Sequence, residues 1–159
     1  NAGENAGVLT EAGAKLLVET LPHIFDGTAV YEKQPEESPT PYAGMITKQM
    51  GLINFGKSAE ELERLVRGLN PWPSAFTFWN GKTLKVWESF VVKSEEAGAE
   101  KPEPGTVVKT DKKGIYVACG EDVLVLSQVQ LEGKKRMDAD AFLRGCHIET
   151  GSRFTDKKE

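Results

Sequence analysis

The chain has 159 residues, a formal net charge of −4, 39% hydrophobic and 28% charged residues. That balance fits a folded globular protein with one core of normal size, or one domain plus an appendage, and excludes long disorder. No apolar run approaches the ~20 residues of a membrane span, and the N-terminus lacks the basic-then-apolar pattern of a secretion signal.

Thr10 to Asp26 reads as an amphipathic helix. Thr10 is its N-cap, Glu11 suits the first turn, and Leu16, Leu17, Thr20 and Leu21 share one face. Pro22 shortens or kinks it, and Gly27 stops it. Such a helix needs a packing partner, and nothing beside it in the sequence supplies one. The absence of an initial Met, with Asn1-Ala2 as a tag scar, suggests a piece of a longer protein. Gln34 to Pro41 is rich in Pro, Glu and Ser and reads as a linker or extended arm. Tyr42 to Gly51 is a short mixed segment with room for one helical turn.

Ser58 to Leu69 carries the clearest helix signal. Ser58 and Glu61 form a capping box, Leu62, Leu65, Val66 and Leu69 follow at helical spacing, and Asn70-Pro71-Trp72-Pro73 ends it. Beyond Pro73 the pattern turns to strands. Ala75 to Trp79 and Thr83 to Val92 flank Asn80-Gly81, a strong hairpin signal. Glu95 to Pro104 is a charged loop, and Glu95, Glu96 and Glu100 read as solvated carboxylates rather than a catalytic pair. Thr106 to Thr110 and Ile115 to Cys119 are strands around Asp111-Lys112-Lys113-Gly114. Val123 to Leu131 is a further strand, alternating through Val123, Val125, Ser127, Val129 and Leu131. Asp138 caps a short helix ending at Gly145, and the polar tail from Ser152 is expected to fray. The class is mainly β with flanking helices: a small OB-like antiparallel β-barrel preceded by an isolated helix and linker.

Charge is uneven along the chain. Through Met50 three Lys meet seven acidic residues, whereas from Gly51 onward 17 basic and 17 acidic residues balance. Any phosphate contact must therefore come from local clusters. Lys134-Lys135-Arg136 follows Gly133 at a strand end, where three adjacent cations form a phosphate patch or, alternatively, a solvated charge run. Lys82, Lys85, Lys112 and Lys113 sit at hairpin turns and are candidates for a second contact. Pro71-Trp72-Pro73 reads as a structural corner whose indole covers the core. His23 reads as a surface histidine, and Cys146-His147 lacks further ligands for a metal. Two cysteines, Cys119 and Cys146, are too few for a secreted disulfide scaffold and point to the cytoplasm.

An ordered set of segments then resembles methionyl-tRNA formyltransferases. It comprises Tyr42-Ala43-Gly44-Met45-Ile46, Gly51-Leu52-Ile53-Asn54-Phe55, Ser58-Ala59 and Arg67-Gly68-Leu69-Asn70-Pro71-Trp72-Pro73. It continues with Leu84-Lys85-Val86, Pro104-Gly105-Thr106, Val117-Ala118-Cys119-Gly120, Gln130 through Met137, and Phe142-Leu143-Arg144-Gly145. The pairing of Asn70-Pro71-Trp72-Pro73 with Gly133-Lys134-Lys135 is the most specific part. The chain departs from the family pattern at Asn54-Phe55, where aspartate–tryptophan is frequent, and at Met45, where lysine is common.

The resemblance implies residues 1–33 as the last helix of a catalytic domain, 34–50 as a linker and 51–159 as a C-terminal OB-like tRNA-binding domain. It implies formylation of initiator methionyl-tRNA in translation initiation, with 10-formyltetrahydrofolate as co-substrate of the full-length protein. The family's catalytic residues would lie in a preceding domain, so this chain alone is expected to be inactive, without a cofactor or metal of its own. Its implied partners are initiator methionyl-tRNA and its own N-terminal catalytic domain, with no membrane. The alternatives are the matching domain of a nucleotide-sugar or folate-hydrolysing formyltransferase, and a scaffold domain that binds no RNA.

Overall fold

Alternation of apolar and polar residues from Ala75 onward becomes an antiparallel sheet in the computed structural model, which describes residues 1–98 and 102–157. β1 (Ala75–Trp79) and β2 (Lys82–Val92) form the expected hairpin. Asn80 and Gly81 both take left-handed backbone, with φ of 48° and 67°, the turn geometry that matches strand twist. β3 (Val107–Asp111), β4 (Gly114–Ala118) and β5 (Val123–Leu131) complete the order β1-β2-β5-β4-β3. A two-residue β6 (Met137–Asp138), too short to leave a sequence signal, pairs with β5.

α2 (Ala59–Gly68) begins at the capping box: Ser58 Oγ accepts from the Glu61 amide at 3.3 Å, and the Glu61 carboxylate accepts from the Ser58 amide at 3.4 Å. Its buried Ala59, Leu62 and Val66 join Leu84, Val86, Leu124, Leu126, Val129 and Leu131 of the sheet, and Ala139 and Phe142 of α4 (Ala139–Gly145), in one core. A smaller cluster of Ala97, Tyr116, Val123 and Val125 is separate from it. Each large apolar side chain buried on either face of β4 and β5 contributes roughly 1.5–3 kcal/mol relative to exposure.

The structure corrects several expectations. β5 does not alternate in one phase. Leu124 and Leu126 face the main core while Val123 and Val125 face the second cluster, yet Val129 and Leu131 return to the main core. Two neighbouring irregularities cause the switch: Trp87 is an extra residue on β2, and Ser127 an extra residue on β5. One inserted residue exchanges the faces of everything beyond it.

The sheet is not closed by strand pairing, and the tail does not fray at Ser152. The C-terminal segment ties both sheet edges together instead. Phe78 and Thr155 exchange backbone hydrogen bonds of 3.1 and 3.0 Å, the Val107 amide donates to the Ser152 carbonyl at 2.8 Å, and the Phe154 amide to Gly105 at 2.9 Å. Phe154 anchors this strap, only 3% exposed, its ring centroid 6.1 Å from that of Phe55. One buried aromatic outweighs the polarity of its neighbours.

Asp138 stands at the N-cap of α4 but makes no side-chain cap; its carboxylate accepts from Gln128 Nε2 at 3.0 Å. The charged loop after β2 begins with a short helix, α3 (Ser94–Ala97), and its residues 99–101, including Glu100, lie outside the described residues. At the Pro71–Pro73 corner the indole does not cover the core: Trp72 is 58% exposed, whereas Pro73 is buried. The corner is held by the Ser74 amide donating to the Leu69 carbonyl at 2.9 Å and by Asn70 Nδ2 donating to the Trp87 carbonyl at 3.0 Å.

The chain divides into two compact units, and Gly3–Ile46 forms the smaller. There α1 (Ala2–Phe25) starts well before Thr10 and runs through Pro22. The alanines and apolar residues ahead of Thr10 extend the helix. Thr10 is therefore interior, its hydroxyl donating to the Ala6 carbonyl at 2.7 Å, rather than a cap. No residue of α1 is buried. Gly27, with φ of 76°, ends it as expected. Residues 29–46 form neither helix nor strand, and a single 3-10 turn, Lys48–Gly51, follows in the larger unit.

Candidate nucleic-acid interface

Strand alternation places Leu84 and Val86 in the core and Lys85 and Trp87 on the opposite face of β2. The register sets Lys85 opposite Gln130 and Leu84 opposite Leu131. The chain then turns at Gly133, φ 77°, and presents Lys134, Lys135 and Arg136 on the surface. Lys82, exposed at the start of β2, lies at this same end, because the Glu132 amide donates to the Thr83 carbonyl at 2.8 Å. The sequence-predicted cations Lys82, Lys85, Lys134, Lys135 and Arg136 are thus brought to one end of the β2–β5 pair. Lys112 and Lys113 are exposed too, on the β3–β4 turn, and β4 pairs the same edge of β5 as β6, the strand that follows the basic turn.

Both basic residues of α2, and Lys57 just before it, are committed to neighbouring acids: Arg64 to Glu60 at 3.0 Å, Arg67 to Glu63 at 3.0 Å and Lys57 to Glu61 at 3.4 Å. Lys82, Lys85, Lys134 and Lys135 enter no ion pair among the described residues. Arg136 differs. Its Nη2 donates to Glu88 at 3.1 Å, its Nε to Gln128 Oε1, and its guanidinium carbon lies 4.8 Å from the centre of the Trp87 ring. Lys85 Nζ lies 5.8 Å from the same ring. Trp87 Nε1 donates to Gln130 Oε1 at 3.1 Å, and Gln130 Nε2 to the Lys134 carbonyl at 2.9 Å. Sequence reasoning missed Trp87, Gln128 and Gln130. Their signal was available, since each faces away from the core in its strand.

A recess of about 290 Å³ adjoins the basic turn, lined by Thr83, Lys85, Gln130 and Gly133 among others. Another, of about 730 Å³, lies by the strap, where Arg153 is paired with Glu103 at 2.7 Å. Among the described residues no group of three or more His, Cys, Asp or Glu is placed to hold a metal ion. Cys119 is buried, and desolvation pushes its thiol up to about 12, which leaves it protonated and a poor nucleophile at neutral pH.

A family profile described as "Formyl transferase, C-terminal domain" matches residues 45–147. The chain belongs to this family. The methionyl-tRNA formyltransferase of Agathobacter rectalis is 52% identical over 147 residues, covering 92% of this chain and 46% of that protein. The Bacillus subtilis protein of the same name is 45% identical over 152 residues, with 95% and 46% covered. The chain therefore spans about half the length of the curated relatives it matches. A solved structure of HypX from Aquifex aeolicus in complex with tetrahydrofolic acid aligns with a TM-score of 0.57 over 81% of this chain and 22% of that one. At 13% identity it supports the fold alone. No helix among the described residues is long and apolar enough to cross a membrane.

Proposed function

We propose that this chain is the tRNA-contacting, C-terminal part of a methionyl-tRNA formyltransferase, which formylates initiator methionyl-tRNA for translation initiation in the cytoplasm. The observation that carries the proposal is the exposed turn bearing Lys134, Lys135 and Arg136, grouped with Lys82 and Lys85, on a chain 52% identical to a protein named for methionyl-tRNA. In this reading the domain tracks phosphates rather than reading bases, as befits helical RNA. Lys112 and Lys113 supply a second contact. Chemistry and the 10-formyltetrahydrofolate co-substrate belong to the catalytic domain, which the 1–33 segment would complete and the 34–50 linker would connect.

The test is a salt titration of tRNA binding by the chain and by the K134A/K135A/R136A variant, with thermal melts confirming equal folding. A Kd on the order of 10⁻⁴ to 10⁻⁶ M is expected for so few cations. The variant should bind more weakly at low salt, with a log–log salt slope shallower by roughly one unit per lost phosphate contact. Equal affinity and slope in two folded proteins would favour a scaffold domain that binds no RNA.

A further inference from the structure

Several side chains tie the basic turn to the sheet, and Trp87 takes part in two of the links. Trp87 is the extra residue of the β2 irregularity, so it stands out from the sheet without a partner directly opposite on β5. Two routes lead from it to the turn. The first is contact of its ring face with the Arg136 guanidinium at 4.8 Å, within the ~6 Å reach of a cation–π interaction. The second runs from its indole N–H to Gln130 Oε1 and from Gln130 Nε2 to the backbone carbonyl of Lys134, through bonds of 3.1 and 2.9 Å. Gln128 adds a strut, accepting from Arg136 Nε and donating to Asp138 at 3.0 Å. The Glu88–Arg136 ion pair cannot do this alone, because its side chains are 58% and 42% exposed and water screens them.

We infer that Trp87 and Gln130 are positioning residues for the phosphate-binding turn: they hold Lys134, Lys135 and Arg136 in place before RNA arrives. The inference rests on the tRNA reading above. Lys and Arg side chains lose much rotamer freedom when they bind, and that loss weakens affinity unless the geometry is fixed beforehand. With Nε and one N–H of Nη2 engaged, Arg136 still has the donors of Nη1, for which no partner is found among the described residues. These remain for a phosphate oxygen. Trp87 itself touches no RNA in this arrangement; it acts through Arg136 and the Lys134 backbone.

The experiment is a double-mutant cycle on tRNA binding, using wild type, W87A, R136A and W87A/R136A, with Q130L as a milder variant that keeps the indole. W87A and Q130L should each weaken binding about two- to fivefold, the size of one exposed cation–π or hydrogen-bond contact. Adding W87A to R136A should cost clearly less than W87A costs alone. In parallel, amide exchange at residues 133–136 should accelerate in W87A and Q130L without RNA. Equal losses from W87A in both backgrounds, or unchanged exchange in the folded variants, would overturn the positioning role. If wild type fails to bind tRNA, or K134A/K135A binds as wild type does, the tRNA reading fails instead. The exchange measurement then decides the positioning role by itself, and should W87A not fold, Q130L carries both readouts.

Discussion

Replacing Phe154 with Ala tests whether the C-terminal strap is part of the fold or an ornament on it. Phe154 is 3% exposed and stacks on Phe55, with an interplanar angle of 25°. An aromatic side chain burying ~150–250 Å² contributes about 4–6 kcal/mol at ~25 cal/mol per Å², an upper figure because unfolded chains already bury some surface. Truncations of this kind in cores cost ~3–5 kcal/mol. A loss of about 3–4 kcal/mol is expected for F154A, a large share of the ~5–15 kcal/mol that holds a typical domain. Urea unfolding followed by tryptophan fluorescence reports on the β unit, which holds Trp72, Trp79 and Trp87, the Trp79 ring meeting Phe142 edge-on at 6.1 Å. The midpoint should fall with little change in slope. K157A, at an exposed position just beyond the strap, is the matched control and should change stability by less than ~0.5 kcal/mol. A loss below about 1 kcal/mol for F154A would refute the reasoning: the strap would then lie on the sheet without supporting it.

Two further outcomes follow from titrating groups. Lys93 Nζ donates to Asp122 Oδ2 at 2.7 Å and holds that carboxyl below its ordinary value of 3.8. A lowered folded-state pKa stabilises the fold above the unfolded pKa and ceases to do so as pH falls through the folded one. The melting-temperature advantage of wild type over D122N should therefore be full at pH 6–7, shrink below about pH 4 and vanish in stronger acid; an advantage independent of pH would contradict this. Burial that raises Cys119 to about 12 should leave it unlabelled by iodoacetamide at pH 8 in the native protein and labelled after unfolding; native labelling at Cys119, located by peptide mapping, would show that the β4 end opens readily.

Much of the β unit is legible in the sequence. Residue type sets turn chemistry, so Asn80-Gly81 fixed the first hairpin and Ser58 with Glu61 fixed the start of α2. The cations of the candidate interface were legible too, as residues. Their grouping was not. Lys82, Lys85 and Lys134 to Arg136 converge only because β5 returns beside β2. Local periodicity also failed where tertiary packing intervened. The face switch within β5 depends on an irregularity matched by one in β2, and no single strand encodes its partner's register. Trp72 and Phe154 exchange the roles that hydrophobicity alone assigns, one exposed at a corner and the other buried in a polar tail. Sequence by itself determined β1 to β5, α2 with its capping box, the Asn80-Gly81 turn and the family, because these depend on neighbours a few residues apart and on residue identity. Which side chains face one another, and hence that Trp87 and Gln130 lie beneath the basic turn, was decided by the sheet, since the Trp87–Gln130 and Glu88–Arg136 contacts join residues 43 and 48 positions apart.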